Sequence, residues 1–174
     1  MSDEPKIPQA KEMAQQQLAQ STINRIKKTT DNEKRLQIIQ SIASIEDPWA
    51  VNVLLDSLAD KYEDIRRFIV DFMAQNDKLD ISLLYERLSK PPWYAKIEVL
   101  KILGLRKNPL SAKHIEIVLQ EPSVDVRKTA AEVLGQIGGK DALAILAKLT
   151  KDENPFVRKA AEKSLNATSD LKFL

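Results

Sequence analysis

Apolar residues return to the same register along this chain every 30 or 31 residues, each time around one basic position. The basic positions are Arg35, Arg66, Lys96, Arg127 and Arg158, at steps of 31, 30, 31 and 31. Counted from each as zero, offset −1 holds Lys34, Ile65, Ala95, Val126 and Val157, and offset +3 holds Ile38, Ile69, Val99, Ala130 and Ala161. Offset +4 holds Ile39, Val70, Leu100, Ala131 and Glu162, and offset +7 holds Ile42, Met73, Leu103, Leu134 and Leu165. These offsets share one face of a helix with 3.6 residues per turn. Offset +8 carries Ala43, Ala74, Gly104, Gly135 and Asn166, mostly small enough for a neighbouring helix to come close.

A second apolar series runs ahead of each basic position. Twelve residues before it stand Ile23, Leu54, Leu84, Ile115 and Leu146; eight before it stand Lys27, Leu58, Leu88 and Leu119, with Leu149 one place early in the last repeat. Breakers separate the two series: Asp47-Pro48, Pro91-Pro92, Asn108-Pro109, Glu121-Pro122, Gly138-Gly139 and Asn154-Pro155. Asp before Pro is an N-cap followed by a first-turn proline, and paired glycines end a helix. The pattern predicts ten helices in five antiparallel pairs, over 9–28/31–45, 48–60/62–76, 80–89/92–106, 111–120/122–137 and 140–151/153–167. A period of this length marks stacked supersecondary units, so the predicted fold is an all-α solenoid forming one domain over residues 1–174, with flexible tails at 1–8 and 168–174. The leading helix has the weakest pattern: Gln15, Gln16 and Gln17 flank a thin stripe of Met13, Leu18, Ile23 and Ile26, the mark of a polar cap or a frayed end.

Scarce glycine (4 residues) and an aromatic share of 5% agree with helices rather than sheets. The chain has 27 basic and 25 acidic residues, a net charge of +2, which gives no general basis for nucleic-acid binding. It has no cysteine, which excludes disulfides, thiolate catalysis and Cys-ligated metals. No apolar run approaches the ~18–20 residues that span a bilayer, and the start reads as no secretory signal. A cytoplasmic protein with no membrane association is expected.

The segment from Asp125 through Val126-Arg127-Lys128-Thr129-Ala130-Ala131-Glu132-Val133-Leu134-Gly135 to Gly138 resembles the signature helix of a HEAT repeat, in the short form found in bilin-lyase-like proteins. Asn154-Pro155-Phe156-Val157-Arg158 repeats its opening, Asp64-Ile65-Arg66 is a weaker copy, and Tyr94-Ala95-Lys96 departs further. The resemblance implies a HEAT-like superhelix of five repeats. It also implies a structural ladder in which an acid six positions before the arginine joins repeats: Asp60 with Arg66, Glu121 with Arg127, Asp152 with Arg158. Lys90 precedes Lys96 and Thr29 precedes Arg35, so these two repeats are expected to lack the pair.

In the resembled family the arginine-bearing helices line the concave side, which puts offsets +1, +2, +5 and +9 outward. On that face Arg67, Phe68, Asp71, Trp93, Tyr94, Ile97, Lys101, Lys128 and Glu132 are the candidate partner-binding residues. Phe68, Ile97 and Leu105 are apolar where solvent is expected, and Trp93 and Tyr94 stand beside them; a rimmed apolar patch of this kind suits a protein partner. The alternative is that Phe68 and Trp93 are packing residues. Arg67, Lys101, Lys128, Lys159 and Lys163 tilt the face basic, but Asp71, Glu98 and Glu132 interrupt the stripe. Deoxyhypusine hydroxylase is similar in fold but needs paired His-Glu motifs for its two irons, whereas this chain has one histidine, His114, followed by Ile115 and expected at the surface. HEAT-like DNA glycosylases need a cationic groove with aromatics and a catalytic aspartate; here Trp49 and Trp93 lie more than a repeat apart and Asp71 has no evident partner. The reading reached is a scaffold or adaptor that binds another protein, not an enzyme, with no cofactor and no metal. The alternatives are a bilin-lyase-like subunit and a nucleic-acid-binding or glycosylase protein.

Overall fold

Caps start the helices where the sequence sets them. In the computed structural model, which describes residues 7–170, helix α1 spans Ile7–Lys28, α2 Asn32–Ala43, α3 Pro48–Ser57 and α4 Glu63–Gln75. Then come α5 (Ser82–Leu88), α6 (Trp93–Arg106), α7 (Ser111–Ile115), a 3₁₀ segment (Glu116–Gln120), α8 (Val124–Ile137), α9 (Gly139–Leu149) and α10 (Pro155–Asp170). Asp31 caps α2 by accepting the Lys34 N–H at 3.0 Å, and Asp47 accepts the Trp49 N–H ahead of a first-turn Pro48. Asn154 does the same for α10 through the Phe156 N–H at 2.9 Å. Each side chain satisfies a donor that the helix itself leaves unpaired. All the described elements are helical, and the fold is an all-α solenoid of repeated helix pairs. Among the described residues no helix is long and apolar enough to cross a membrane.

The expected boundaries hold to within a few residues, with one change of type. The stretch 111–120 was expected as one helix, but it tightens into 3₁₀ geometry after Ile115. The predicted tails fall mostly outside the described residues; the described parts of them, Ile7, Pro8 and 168–170, are helical.

The chain divides into two compact units, Met1–Ile69 and Val70–Leu174. In the first, α1 and α2 pack against α3 around Ile26, Ile39, Ile42, Val53, Leu54, Leu55 and Leu58. The leading helix is held in place by Gln15, whose amide donates to Asp47 at 3.0 Å. Its expected stripe is only partly buried: Ile26 is in the core, whereas Met13 and Leu18 are exposed. These two are five residues apart, too far round a helix to share a face with each other.

In the second unit α6, α8 and α10 stand side by side in one row, with α5, α7 and α9 paired to them in another. Val99, Leu100, Leu103, Val126, Ala130, Ala131, Leu134, Val157 and Ala161 fill the space between the rows, all of them near zero exposure. The small offset +8 sets the spacing within the row. A Cβ added to Gly135 would lie 2.7 Å from the Ser164 side chain of α10, and one on Gly104 would meet Val133 and Gln136 of α8. Offset +8 of one helix therefore faces offset +6 of the next. Between α8 and α9 the chain turns through Gly138 (φ 68°) and Gly139 (φ 83°), a left-handed path that a side chain would strain. Arg106, at the end of α6, donates to the carbonyls of Met73 and Asn76 at 3.0 and 2.9 Å, satisfying acceptors left over where α4 ends.

Candidate interaction site

The basic position that defines the repeat is a connector. Arg127 is buried and forks: Nε and Nη2 donate to the two carboxylate oxygens of Asp152 at 2.8 and 3.0 Å, while Nη1 donates to the Glu121 carbonyl at 2.7 Å. Asp152 in turn accepts the Asn154 N–H at 2.8 Å, and its backbone carbonyl accepts Arg158 Nη1 at 2.8 Å. Asp60 repeats the arrangement in the first unit. Its carboxylate takes Arg35 Nη1 at 2.6 Å and the Tyr62 N–H at 3.0 Å, and its carbonyl takes Arg66 Nη1 at 2.7 Å. The ring of Tyr62 also lies under the Arg35 guanidinium, 5.2 Å away. Lys96 donates to Glu121 in the same way.

Each carboxylate thus serves the cation 25 residues earlier, and only its main-chain carbonyl serves the arginine six residues later. Arg35 and Lys96, expected to lack a pair, both have one, because their acids sit in the following repeat. The pairing is strong enough to move titrations. The hydrogen bonds from Arg127, helped by that from Asn154, hold the Asp152 carboxyl below its ordinary 3.8 despite burial, and the Asp152 carboxylate raises the affinity of Arg127 for its proton. The side chains of the Arg35–Asp60 and Arg127–Asp152 pairs are closed off from solvent.

The outward rows differ from helix to helix. On α6, offsets −3, −2 and +9 place Trp93, Tyr94 and Leu105 in solvent at 46%, 45% and 54% exposure, with Ile97 half-buried between them. Trp93 and Tyr94 meet edge to face, ring centroids 5.8 Å apart. On α8 the positions equivalent to Trp93, Tyr94, Ile97 and Leu105 hold Val124, Asp125, Lys128 and Gln136, and Lys128 pairs with Glu132 at 3.7 Å. On α10, Phe156 stands out at 68% exposure. Sequence reading passed over it because a single aromatic after Asn-Pro resembles ordinary cap chemistry.

On α8 and α10 offset +2 is not outward: Thr129 is half-buried and Ala160 buried, because +2 shares a helix side with +6, which faces the preceding helix of the row. Glu98, at +2 of α6, is buried as well, whereas Gln37, at +2 of α2, is exposed. Glu98 accepts from Lys101 at 3.0 Å. Phe68, also at +2, is half-buried and in contact within the protein; with exposed Arg67 it belongs to the first unit. Asp71, Lys101, Lys128 and Glu132 are exposed and belong to the second.

His114 is exposed and stacks flat on Tyr85, centroids 3.7 Å apart, while the Tyr85 hydroxyl meets Ser111 at 3.1 Å. Among the described residues no group of three or more His, Cys, Asp and Glu side chains is placed to share a metal ion. The donor set does not fit an iron centre, and no catalytic step can be built on one here.

The model of the family described as HEAT repeats matches residues 81–168. Two curated relatives are named deoxyhypusine hydroxylase. The one from Oryza sativa subsp. japonica is 30% identical over 120 residues, covering 66% of this chain and 38% of its own length. The one from Debaryomyces hansenii is 35% identical over 86 residues, covering 48% of this chain and 24% of its own. The chain therefore spans well under half the length of these relatives. Among solved structures, the complex of CpcE and CpcF of phycocyanin lyase from Nostoc sp. PCC7120 matches with a TM-score of 0.55 at 17% identity, over 97% of this chain and 68% of that one. These matches correct one expectation. A protein that is not an enzyme was read from the lack of catalytic residues, and that reading is overturned by relatives that bear an enzyme's name.

Proposed function

This chain belongs to the HEAT-repeat family, and on that premise we propose that it binds a protein partner on the outward face of the α6, α8 and α10 row. One observation carries the reading: Trp93, Tyr94 and Leu105 are exposed on α6 at offsets where α8 presents Val124, Asp125 and Gln136. Aromatic side chains left half in water contribute less to the fold than buried ones, whereas in an interface they supply large apolar area with little loss of rotamer freedom. Ile97 extends the patch and Lys101, Lys128 and Glu132 rim it, which is the anatomy of a protein-binding surface. Support also comes from the solved relative, which is itself a complex of two proteins. The experiment is affinity capture with the wild-type chain and with Trp93→Ala/Tyr94→Ala, followed by reconstitution with the purified captured protein. Loss of that protein in the variant supports the reading; equal capture removes it.

A second reading follows from the curated relatives: a part in the hydroxylation of a deoxyhypusine-bearing protein. Its support is the identity over 120 residues, and its difficulty is the missing donor set. Incubating the purified chain with iron(II), oxygen and a protein bearing deoxyhypusine, and following the +16 Da product by mass spectrometry, tests it. No product at stoichiometric chain removes it.

A further inference from the structure

The second row of the second unit, α5, α7 and α9, has an outer face of its own. Counted from the basic position, offsets −17, −14 and −10 are exposed twice over. They are Leu110, Lys113 and Ile117 on α7 with its N-cap and 3₁₀ extension, and Asp141, Ala144 and Lys148 on α9. Helix α7 has α5 on one side and α9 on the other, so these offsets look away from the row and not along it. Leu110 is 74% exposed and Ile117 56%, which puts Leu110 above every other large apolar side chain among the described residues. His114 lies between them and is exposed as well, its imidazole braced flat against Tyr85. Spacings of four and then three residues set Leu110, His114 and Ile117 in one stripe.

Charge is ordered around that stripe. Lys113 pairs with Asp141, and Lys148 pairs with Glu116. At one end of the face the α7 side is therefore positive and the α9 side negative; at the other end the signs are exchanged. A face with this order is complementary to itself. Turn a second copy over about a two-fold axis lying across α7 and α9, and Lys113 meets the copy's Glu116, Asp141 meets its Lys148 and Leu110 meets its Ile117, each contact made twice. The axis crosses α7 near His114 and α9 near Ala144, the middle of each set.

We propose that the outer face of α7 and α9 is a dimerisation surface whose occupant is a second copy of this chain, set antiparallel across that axis. A partner of another sequence would need the same signs in the reverse order; a second copy has them already. The surface lies on the opposite row from the Trp93 patch and does not depend on it.

Sedimentation equilibrium of the full chain between about 1 and 300 μM tests the proposal. Expected is a reversible monomer–dimer equilibrium, at least about tenfold weaker in Leu110→Ser/Ile117→Ser. Asp141→Lys sets a lysine against the copy's Lys148, and Lys148→Asp sets an aspartate against its Asp141, so each variant alone should be more monomeric than the wild type. An equimolar mixture of the two should recover the dimer, because every such contact then joins opposite signs, and recovery also shows that both variants are folded. The chain has no cysteine, so Ala144→Cys carries a single thiol near the axis. Mild oxidation should link it into a dimer at least about tenfold faster than Lys128→Cys on the other row. Trp93→Ala/Tyr94→Ala should dimerise as the wild type does. A chain monomeric over the whole range would overturn the proposal, in favour of a partner of another sequence. A dimer that survives Leu110→Ser/Ile117→Ser or is lost in Trp93→Ala/Tyr94→Ala would overturn it too, by placing the contact elsewhere. So would a mixture of charge variants that stays monomeric, or equal cross-linking at the two cysteine positions.

Discussion

Helices α6 and α8 occupy equivalent places in neighbouring repeats and share a buried face, yet they differ at the connector and on the outward face. Both bury offsets +3, +4 and +7, as Val99, Leu100 and Leu103 in one and Ala130, Ala131 and Leu134 in the other. In α8 the connector is a forked arginine and the outward face, apart from Val124, is polar; in α6 it is a lysine bound to Glu121 and the outward face is aromatic and aliphatic. Packing fixes the side that meets other helices, and it leaves the side that meets solvent free to take on binding.

The most severe way to break the comparison is to remove the connectors. Arg127→Ala leaves Asp152 buried without its counter-ion and should cost about 3–5 kcal/mol in urea melts. Lys96→Ala should cost clearly less, because Glu121 is more open to water than Asp152. The pH dependence sharpens this. Asp152 has its folded pKa depressed, so its stabilisation is present above the ordinary 3.8 and is lost as pH falls through the lower folded value. Asp152→Asn should therefore differ most from wild type at neutral pH and converge with it well below pH 3.8.

The shared face should behave alike in both helices. Leu103→Ala and Leu134→Ala each remove a fully buried side chain and should each cost about 2–5 kcal/mol. A change under about half a kcal/mol in either would place it outside the core. The glycines should separate again. Gly135→Ala runs into the Ser164 side chain and backbone and should cost about 1–3 kcal/mol. Gly104→Ala meets chiefly the movable end of Gln136 and gains helix propensity, so it should fall within about 1 kcal/mol of wild type. The smallest effect on stability belongs to Trp93→Ala, within about 0.5 kcal/mol, with the loss appearing only in partner capture.

The helices and their core were legible because period 3.6 and the 31-residue step are written in Ile, Leu, Val and Ala themselves. The direction of the connectors was not. Asp152 is six residues from one arginine and 25 from another, and a periodic sequence does not say which of them its carboxylate meets and which its carbonyl. Offset +2 is misread as outward for a related reason: a helix such as α8 is flanked on two sides, by α6 and α10, so less of its circumference is open, at Thr129 for instance, than a lone amphipathic helix suggests. Trp93 and Tyr94 could be named but not placed, since adjacent residues at a helix start point 100° apart and neither period marks them.

The loop at Asp152 has a consequence for how such a chain can change. One residue there closes a turn, receives the arginine of the unit upstream and seats the arginine of its own unit, so no single substitution leaves all three intact. A cut through that loop would strand both neighbours, while a cut in mid-helix would split a core. The indivisible quantum of lengthening or shortening is therefore the whole period, removed or copied from one basic residue to the next.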